Sequence, residues 1–105
     1  MFFSDYKNHP VFEVDKALLW EYDVTRLDYT KIRIEIVTRV IERGTFHDFY
    51  AILNIYGEDG VRDAIKKISY LSDIDMNFAS LVFNIPFNEL KCYSKKQLQE
   101  KHIYF

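Results

Sequence analysis

The chain has 105 residues, of which 49% are hydrophobic and 29% charged, and its formal net charge is −2. This length suits one domain with a single core, and this composition excludes an intrinsically disordered chain. An acidic total argues against a general nucleic-acid binder, which carries a clear basic footprint. Three glycines and two prolines are too few for a many-turned β-sandwich or barrel. Aromatic residues make up 17% of the chain, and such residues can pack in a core or at an interface.

The chemically reactive side chains are few and scattered. Cys92 is the single cysteine, which excludes an intrachain disulfide and a multi-cysteine zinc site. His9, His47 and His102 share no metal-ligand spacing, and no phosphate-binding loop or nucleophile elbow occurs. We therefore expect no enzyme activity, no metal and no cofactor. Without a signal-peptide pattern or an apolar run near ~20 residues, we expect a cytoplasmic protein with no membrane contact.

The N-terminal third predicts little regular structure. Residues 1–12 hold no helical period and predict an irregular arm. Its aromatic side chains could pack on the body of the domain or on a neighbouring copy in a homodimer. We expect them to pack on the body of the domain. Residues 11–22 predict a short helix or a turn of helix, and we expect Trp20 to lie in the core. Residues 23–28 predict a turn, after which Asp28 caps the first long helix.

The segment that follows Asp28 admits two interpretations. Residues 31–36 alternate between polar and apolar residues, which is typical of a half-buried strand. On a helical wheel the same segment shows a broad apolar arc, and Arg33 falls inside it, where its charge would need a carboxylate partner. Because the pattern continues as far as Gly44, which is longer than a typical strand, we predict a helix.

The middle of the chain predicts two helices in succession. Residues 45–56 repeat apolar residues at three- and four-residue spacing. Thr45 begins this helix, with Asp48 three positions on as an acidic variant of the capping box. Gly57 ends it, since glycine tolerates the left-handed conformation beyond a helix C-terminus. The next helix is predicted over residues 60–70.

Two shorter elements complete the predicted fold. Residues 76–84 predict a strongly apolar helix that stops before Pro86. Residues 94–105 predict a basic C-terminal helix or tail, which Ser94 would cap. The whole pattern predicts an all-α fold, a single compact domain of four to six helices over residues 1–105. The predicted core contains Trp20, Ile36, Val40, Phe49, Leu53, Ile65, Ile68 and Phe78.

One pair of predicted helices resembles a DNA-binding motif. The helices over residues 45–56 and 60–70 are joined by a short glycine-containing link, as in a helix-turn-helix. The second helix would present Arg62, Lys66 and Lys67 to DNA. Acidic residues on that helix would face the phosphates, however, and no Asn or Gln is placed for base reading. DNA binding is therefore the alternative hypothesis and is not the favoured one.

The C-terminal segment is the one strongly basic region. Four lysines and one glutamate give residues 91–105 a net charge of +3. Positive charge beside an apolar end suits a negatively charged protein surface, although docking on the body of the same chain is the simpler alternative. The candidate partner-binding residues are Lys91, Lys95, Lys96, Lys101, Tyr104 and Phe105.

A set of short runs carries a family resemblance. The runs are Leu19–Asp23, Leu27–Asp28, Arg39–Gly44, Ile55–Gly57, Tyr70–Ser72, Asn77–Phe78 and Cys92–Tyr93. Over roughly residues 18–93 they resemble the pattern of a family of small bacterial proteins of unknown function. Members resemble antitoxins and are often encoded beside nucleotidyltransferase-type toxins, so the resemblance implies a toxin as the protein partner. We therefore expect a small protein-binding, antitoxin-like regulator, with a helix-turn-helix transcriptional regulator as the alternative.

Overall fold

A computed structural model describes residues 1–95 of the protein, apart from the side chain of Val24. Every regular element in that range is helical, which confirms the predicted all-α single domain. None of these helices is both long enough and apolar enough to cross a membrane. The α-helices are α1 (Arg33–Arg43), α2 (Phe46–Lys67) and α3 (Asp73–Phe83), accompanied by 3-10 helices at Tyr6–Asn8, Lys16–Leu19, Val24–Arg26 and Phe87–Glu89 and by a helical segment over residues 91–95.

Helix α1 decides between the two interpretations of residues 31–36 in favour of a helix. It begins at Arg33, later than predicted, because Asp28 caps only the preceding turn, where its carboxylate accepts two backbone N–H groups. The Arg33 guanidinium donates to the Asp63 carboxylate of α2 at 2.8 Å. This partner compensates the charge that Arg33 brings into the apolar arc.

Gly44, which follows α1, and Gly57, which lies inside α2, act in different ways. Gly44 follows α1 with φ −76°, so it is not left-handed. Glycine is required at this position for steric reasons, because a Cβ there would lie 2.5 Å from the Val40 carbonyl oxygen. Gly57 has φ 74° and ψ 167°, a conformation essentially restricted to glycine. Gly57 is not helical, so α2 consists of two helical halves that meet at this residue, which confirms the predicted end of the first helix there.

Helix α3 begins at Asp73, three residues before its predicted start. The Ser72 hydroxyl accepts a hydrogen bond from the N–H of Asp75 at 3.2 Å and so acts as the N-cap. Asn84 ends the helix in the left-handed conformation, with φ 54°. Asn tolerates that conformation because its short polar side chain can hydrogen-bond locally.

The core lies between the inner faces of the three α-helices. Of the predicted core residues, Ile36, Val40, Phe49, Leu53, Ile65 and Ile68 are buried and Phe78 is half-buried. The prediction for Trp20 is wrong, because 76% of this residue is exposed. The helix predicted over residues 11–22 is only the 3-10 helix Lys16–Leu19. With three residues per turn, this helix buries Leu18 and Leu19 and leaves Trp20, which follows them, in solvent.

Among the described residues, Asp48 is the one buried charged side chain, with 1% of it exposed. Its Oδ2 accepts the N–H of Thr45 at 2.9 Å and the Thr45 hydroxyl at 3.2 Å, which confirms the predicted capping box. Its Oδ1 accepts the N–H of Asp15 at 2.8 Å. The carboxylate therefore joins the start of α2 to the N-terminal segment.

The N-terminal arm packs on the first half of α2. Phe3 is fully buried, and its ring stacks on Phe49 with 4.9 Å between centroids. The Asn54 amide donates to the carbonyl oxygens of Tyr6 at 3.2 Å and His9 at 2.7 Å. One buried aromatic residue and two hydrogen bonds from the Asn54 side chain to backbone carbonyls thus attach the arm to its own chain.

We predict that Leu53→Ala lowers the free energy of unfolding by about 2–5 kcal/mol, because Leu53 is fully buried and its truncation leaves a cavity. Leu81→Ala is the matched control, since 79% of Leu81 is exposed, and it should stay within about 0.5 kcal/mol. Chemical denaturation followed by circular dichroism measures both. Equal effects of the two substitutions would contradict the assigned core.

We predict that Asp48→Asn destabilises the fold by about 1–3 kcal/mol, because the amide group would face a backbone N–H that then lacks an acceptor. Asp15→Asn makes the same chemical change at an exposed residue, whose side chain caps the N–H of Ala17. Asn caps as well as Asp, so this control should be nearly neutral. An unchanged melting temperature for Asp48→Asn would show that the buried carboxylate is dispensable.

Candidate functional site

The exposed Trp20 lies beside an ion pair that attaches the N-terminal segment to α1. Glu21 pairs with Arg39. The Arg39 guanidinium also donates to the Leu18 carbonyl oxygen at 3.0 Å and lies over the Tyr22 ring, 5.3 Å from its centroid. Residues on both sides of Trp20 are therefore held by one α1 side chain.

The Glu21–Arg39 pair is charge-compensated. The hydrogen bond from Arg39 lowers the pKa of Glu21 below its ordinary value, against the opposing effect of burial. The same bond raises the pKa of Arg39. Both groups are therefore ionised at neutral pH, and the pair as a whole adds no net charge to this surface.

A groove of about 370 Å³ separates α1 from the residues that follow α2. Tyr70 is 66% exposed at this groove, whereas Ile68 beside it is buried. Glu35 and Glu42 are exposed and lie seven residues apart on α1, which places them on one face about 10 Å apart. We call this feature the α1 groove; its lining residues are Ile34, Glu35, Thr38, Arg39, Glu42, Ile68, Ser69 and Tyr70.

Arg39 connects the two features, because it lines the α1 groove and binds the residue after Trp20. We call Trp20, Glu21, Tyr22 and the α1 groove together the Trp20 surface. Tryptophan, tyrosine and arginine are the residue types most enriched at the centres of protein interfaces. The described residues contain no group of three His, Cys, Asp or Glu side chains that could hold a metal ion.

The residues predicted to bind DNA all lie in the second half of α2, and each has an acceptor within the protein. Arg62 donates to the Asn84 carbonyl oxygen at 3.2 Å, Lys66 pairs with Glu89 at 3.2 Å, and Lys67 pairs with Asp63 at 3.1 Å. The two halves of α2 meet at the single residue Gly57, without the three- to four-residue turn that joins the helices of a helix-turn-helix. No contact of the described residues favours DNA binding, which stays a prediction.

The predicted partner-binding residues divide between described and undescribed parts of the chain. Lys91 and Lys95 are exposed within the helical segment of residues 91–95. Since this segment is already helical before Ser94, the prediction that Ser94 caps it is wrong. Cys92 is buried, with its sulfur 3.7 Å from that of Met76. Lys96, Lys101, Tyr104 and Phe105, with the rest of the predicted tail, lie outside the described residues.

Sequence reasoning overlooked the exposure of Trp20, although a signal for it was present. Asp15 accepts the N–H of Ala17, and Asp23 accepts the N–H of Thr25 at 3.0 Å. These two capping residues are only eight positions apart, which leaves too little chain between them for an amphipathic helix. No feature of the sequence indicated the α1 groove.

Residues 14–65 match the model of a family of unknown function (DUF6922). The match covers just under half of the chain and includes Trp20, Glu21 and Arg39. The runs Tyr70–Ser72, Asn77–Phe78 and Cys92–Tyr93 lie beyond it. This match supports the general part of the resemblance, which is the similarity to a domain family of unknown function. Neither the curated proteins nor the solved structures include a match to this chain.

We predict that Glu21→Gln lowers the melting temperature at pH 7 and that its difference from the wild type shrinks on acidification. The folded-state pKa of Glu21 is depressed, so its ion pair stabilises the fold above the unfolded-state pKa and is lost as the pH falls through the folded-state pKa. Thermal melts from pH 7 to about pH 3 test this, a range that spans the ordinary pKa of glutamate.

The control for this prediction is Glu42→Gln, which removes an exposed carboxylate that forms no salt bridge with any described residue. It should have little effect on the melting temperature at pH 7, because no ion pair with a described residue is lost. A difference between Glu21→Gln and the wild type that stays constant with pH would contradict the electrostatic role of the Glu21–Arg39 pair.

Proposed function

We propose that this chain is a protein-binding regulator that recognises its partner through the Trp20 surface. The observation that carries the proposal is Trp20 itself, which is 76% exposed on the segment that matches the family. An exposed tryptophan costs solvation free energy that burial in a complex recovers. Tryptophan is also among the residues whose truncation costs most binding free energy in protein interfaces.

The residues next to Trp20 suit recognition because contacts within the chain already hold them in place in the absence of a partner. Arg39 contacts Leu18, Glu21 and Tyr22, so the backbone on either side of Trp20 has little freedom left to lose. Prior ordering reduces the conformational entropy that binding costs. The α1 groove beside this network offers a concave site with exposed Tyr70 at its edge.

The second part of the proposal concerns the identity of the partner. We infer from the family resemblance that the partner is a nucleotidyltransferase-type toxin encoded beside this chain, and that the chain acts as its antitoxin in the cytoplasm. A domain of this kind would act by covering a surface that the toxin needs. This mechanism requires no catalytic group in the chain.

We predict that Trp20→Ala weakens binding to the product of the neighbouring gene at least about 30-fold, which is the effect of losing a hot spot of about 2 kcal/mol. Leu81→Ala is the matched control, because Leu81 is an equally exposed apolar residue on α3. Isothermal calorimetry measures both affinities, and circular dichroism checks that both variants fold. Equal losses, or an unchanged affinity for Trp20→Ala, would contradict the proposed surface. No complex with the wild-type chain would contradict the antitoxin assignment.

A further inference from the structure

A pocket of about 270 Å³ lies between the two stretches of chain that flank Trp20. One wall comes from residues 13–19 and the other from residues 25–29. Small-molecule sites in proteins measure about 300–1,000 Å³ and have mostly apolar walls with a few polar groups. The volume of this pocket therefore suits a ligand of few atoms, and its lining decides the kind of ligand.

Three apolar side chains line this pocket. Val14 and Leu19 are buried, and Leu27 is half-buried. Apolar atoms of a ligand that pack on these side chains would leave water, which favours binding in proportion to the apolar area covered. A fitting ligand therefore has a hydrocarbon part.

Two opposite charges line the same pocket. Glu13 and Lys16 are exposed, and neither forms a salt bridge with a described residue. The Glu13 carboxylate can therefore pair with a ligand ammonium group, and the Lys16 ammonium with a ligand carboxylate. One charge of each sign suits neither a polyanion nor a polyamine, whereas it complements a zwitterion.

Tyr29 supplies a neutral hydrogen-bonding group near Glu13. Burial raises the pKa of Tyr29, a hydrogen bond from the Val14 backbone opposes this rise, and the Glu13 carboxylate adds to it. The Tyr29 hydroxyl therefore keeps its proton at neutral pH and can donate a hydrogen bond to a ligand. The effect of Glu13 on Tyr29 also shows that the two side chains lie close together at this pocket.

Contacts with α2 hold both walls of the pocket in place. Asp48 accepts the N–H of Asp15, in the first wall, at 2.8 Å. The Tyr56 hydroxyl donates to the carbonyl oxygen of Tyr29, in the second wall, at 2.6 Å. Ordered walls lower the conformational entropy that binding costs, which matters most for a ligand that makes few contacts.

We propose that this pocket binds a free α-amino acid with an apolar side chain. The ammonium group of the ligand pairs with Glu13, and its carboxylate pairs with Lys16. Its side chain packs on Leu19 and Leu27. This site does not rest on the proposed function, because its ligand is a small molecule and its test needs no partner protein.

Amide chemical shifts of the full-length chain test the site directly. The chain is titrated with L-leucine and, separately, with L-phenylalanine into the millimolar range, which covers the affinity that ligands of this size reach. At least one of the two should shift the amide resonances of Leu19, Thr25 and Leu27 to saturation. The amides around exposed Leu81 on α3 should stay in place. Saturation by neither amino acid, or shifts confined to other parts of the chain, would overturn the proposal.

Analogues of the amino acid that binds test whether both of its charges are recognised. The N-acetylated form lacks the ammonium group, and the amidated form lacks the carboxylate. Each should bind about fivefold more weakly, which is the upper value for the loss of one solvent-exposed ion pair. Glycine keeps both charges but lacks the side chain, so it should also bind more weakly. An analogue that binds as tightly as the parent amino acid would overturn the assigned ligand class.

Two substitutions then assign each ligand charge to its residue. Glu13→Gln should abolish the preference for the parent amino acid over its N-acetylated form, and Lys16→Gln should abolish the preference over its amidated form. Glu58→Gln and Lys31→Gln are the matched controls, because both residues are exposed, lie outside the pocket and form no salt bridge with a described residue. Circular dichroism checks that all four variants fold. A preference that survives in folded Glu13→Gln or Lys16→Gln, or that is lost equally in the controls, would overturn the proposed pairing.

Discussion

The buried carboxylate of Asp48 is the interaction on which the rest of this structure depends. A charge inside a protein is costly unless hydrogen bonds satisfy it, and this one is satisfied by the N–H groups of Asp15 and Thr45. The first contact fixes where the N-terminal segment crosses the domain, and the second fixes where α2 begins. Asp15 in turn caps the 3-10 helix that leads to Trp20. One buried side chain thus sets the position of the exposed tryptophan.

The candidate surface is supported from a second helix as well. Arg39 of α1 holds the far end of the segment that Asp48 positions. Arg33 of α1 also pairs with Asp63 in the second half of α2, beyond the kink at Gly57. Helix α1 therefore has charged contacts with both the N-terminal segment and α2.

Several polar side chains among the described residues serve the backbone. Asp15, Asp23, Asp28 and Ser72 each accept backbone N–H groups at the start of a turn or helix. Each of these contacts fixes where its turn or helix begins. The surface that we propose for partner binding contributes exposed aromatic residues instead, Trp20 and Tyr70.

The sequence by itself determined the features that depend on neighbouring residues. The periodicity of residues 45–56 and the Thr45–Asp48 spacing predicted the first half of α2 and its cap, because both rest on contacts within one or two helical turns. Tertiary structure alone decided which α1 side chain holds the segment of Trp20 and where the α1 groove forms. Arg39 binds a carbonyl 21 residues earlier in the chain, and Ile34 lines the groove with Tyr70, 36 residues later. No local pattern encodes such contacts, because they exist only once the helices have packed.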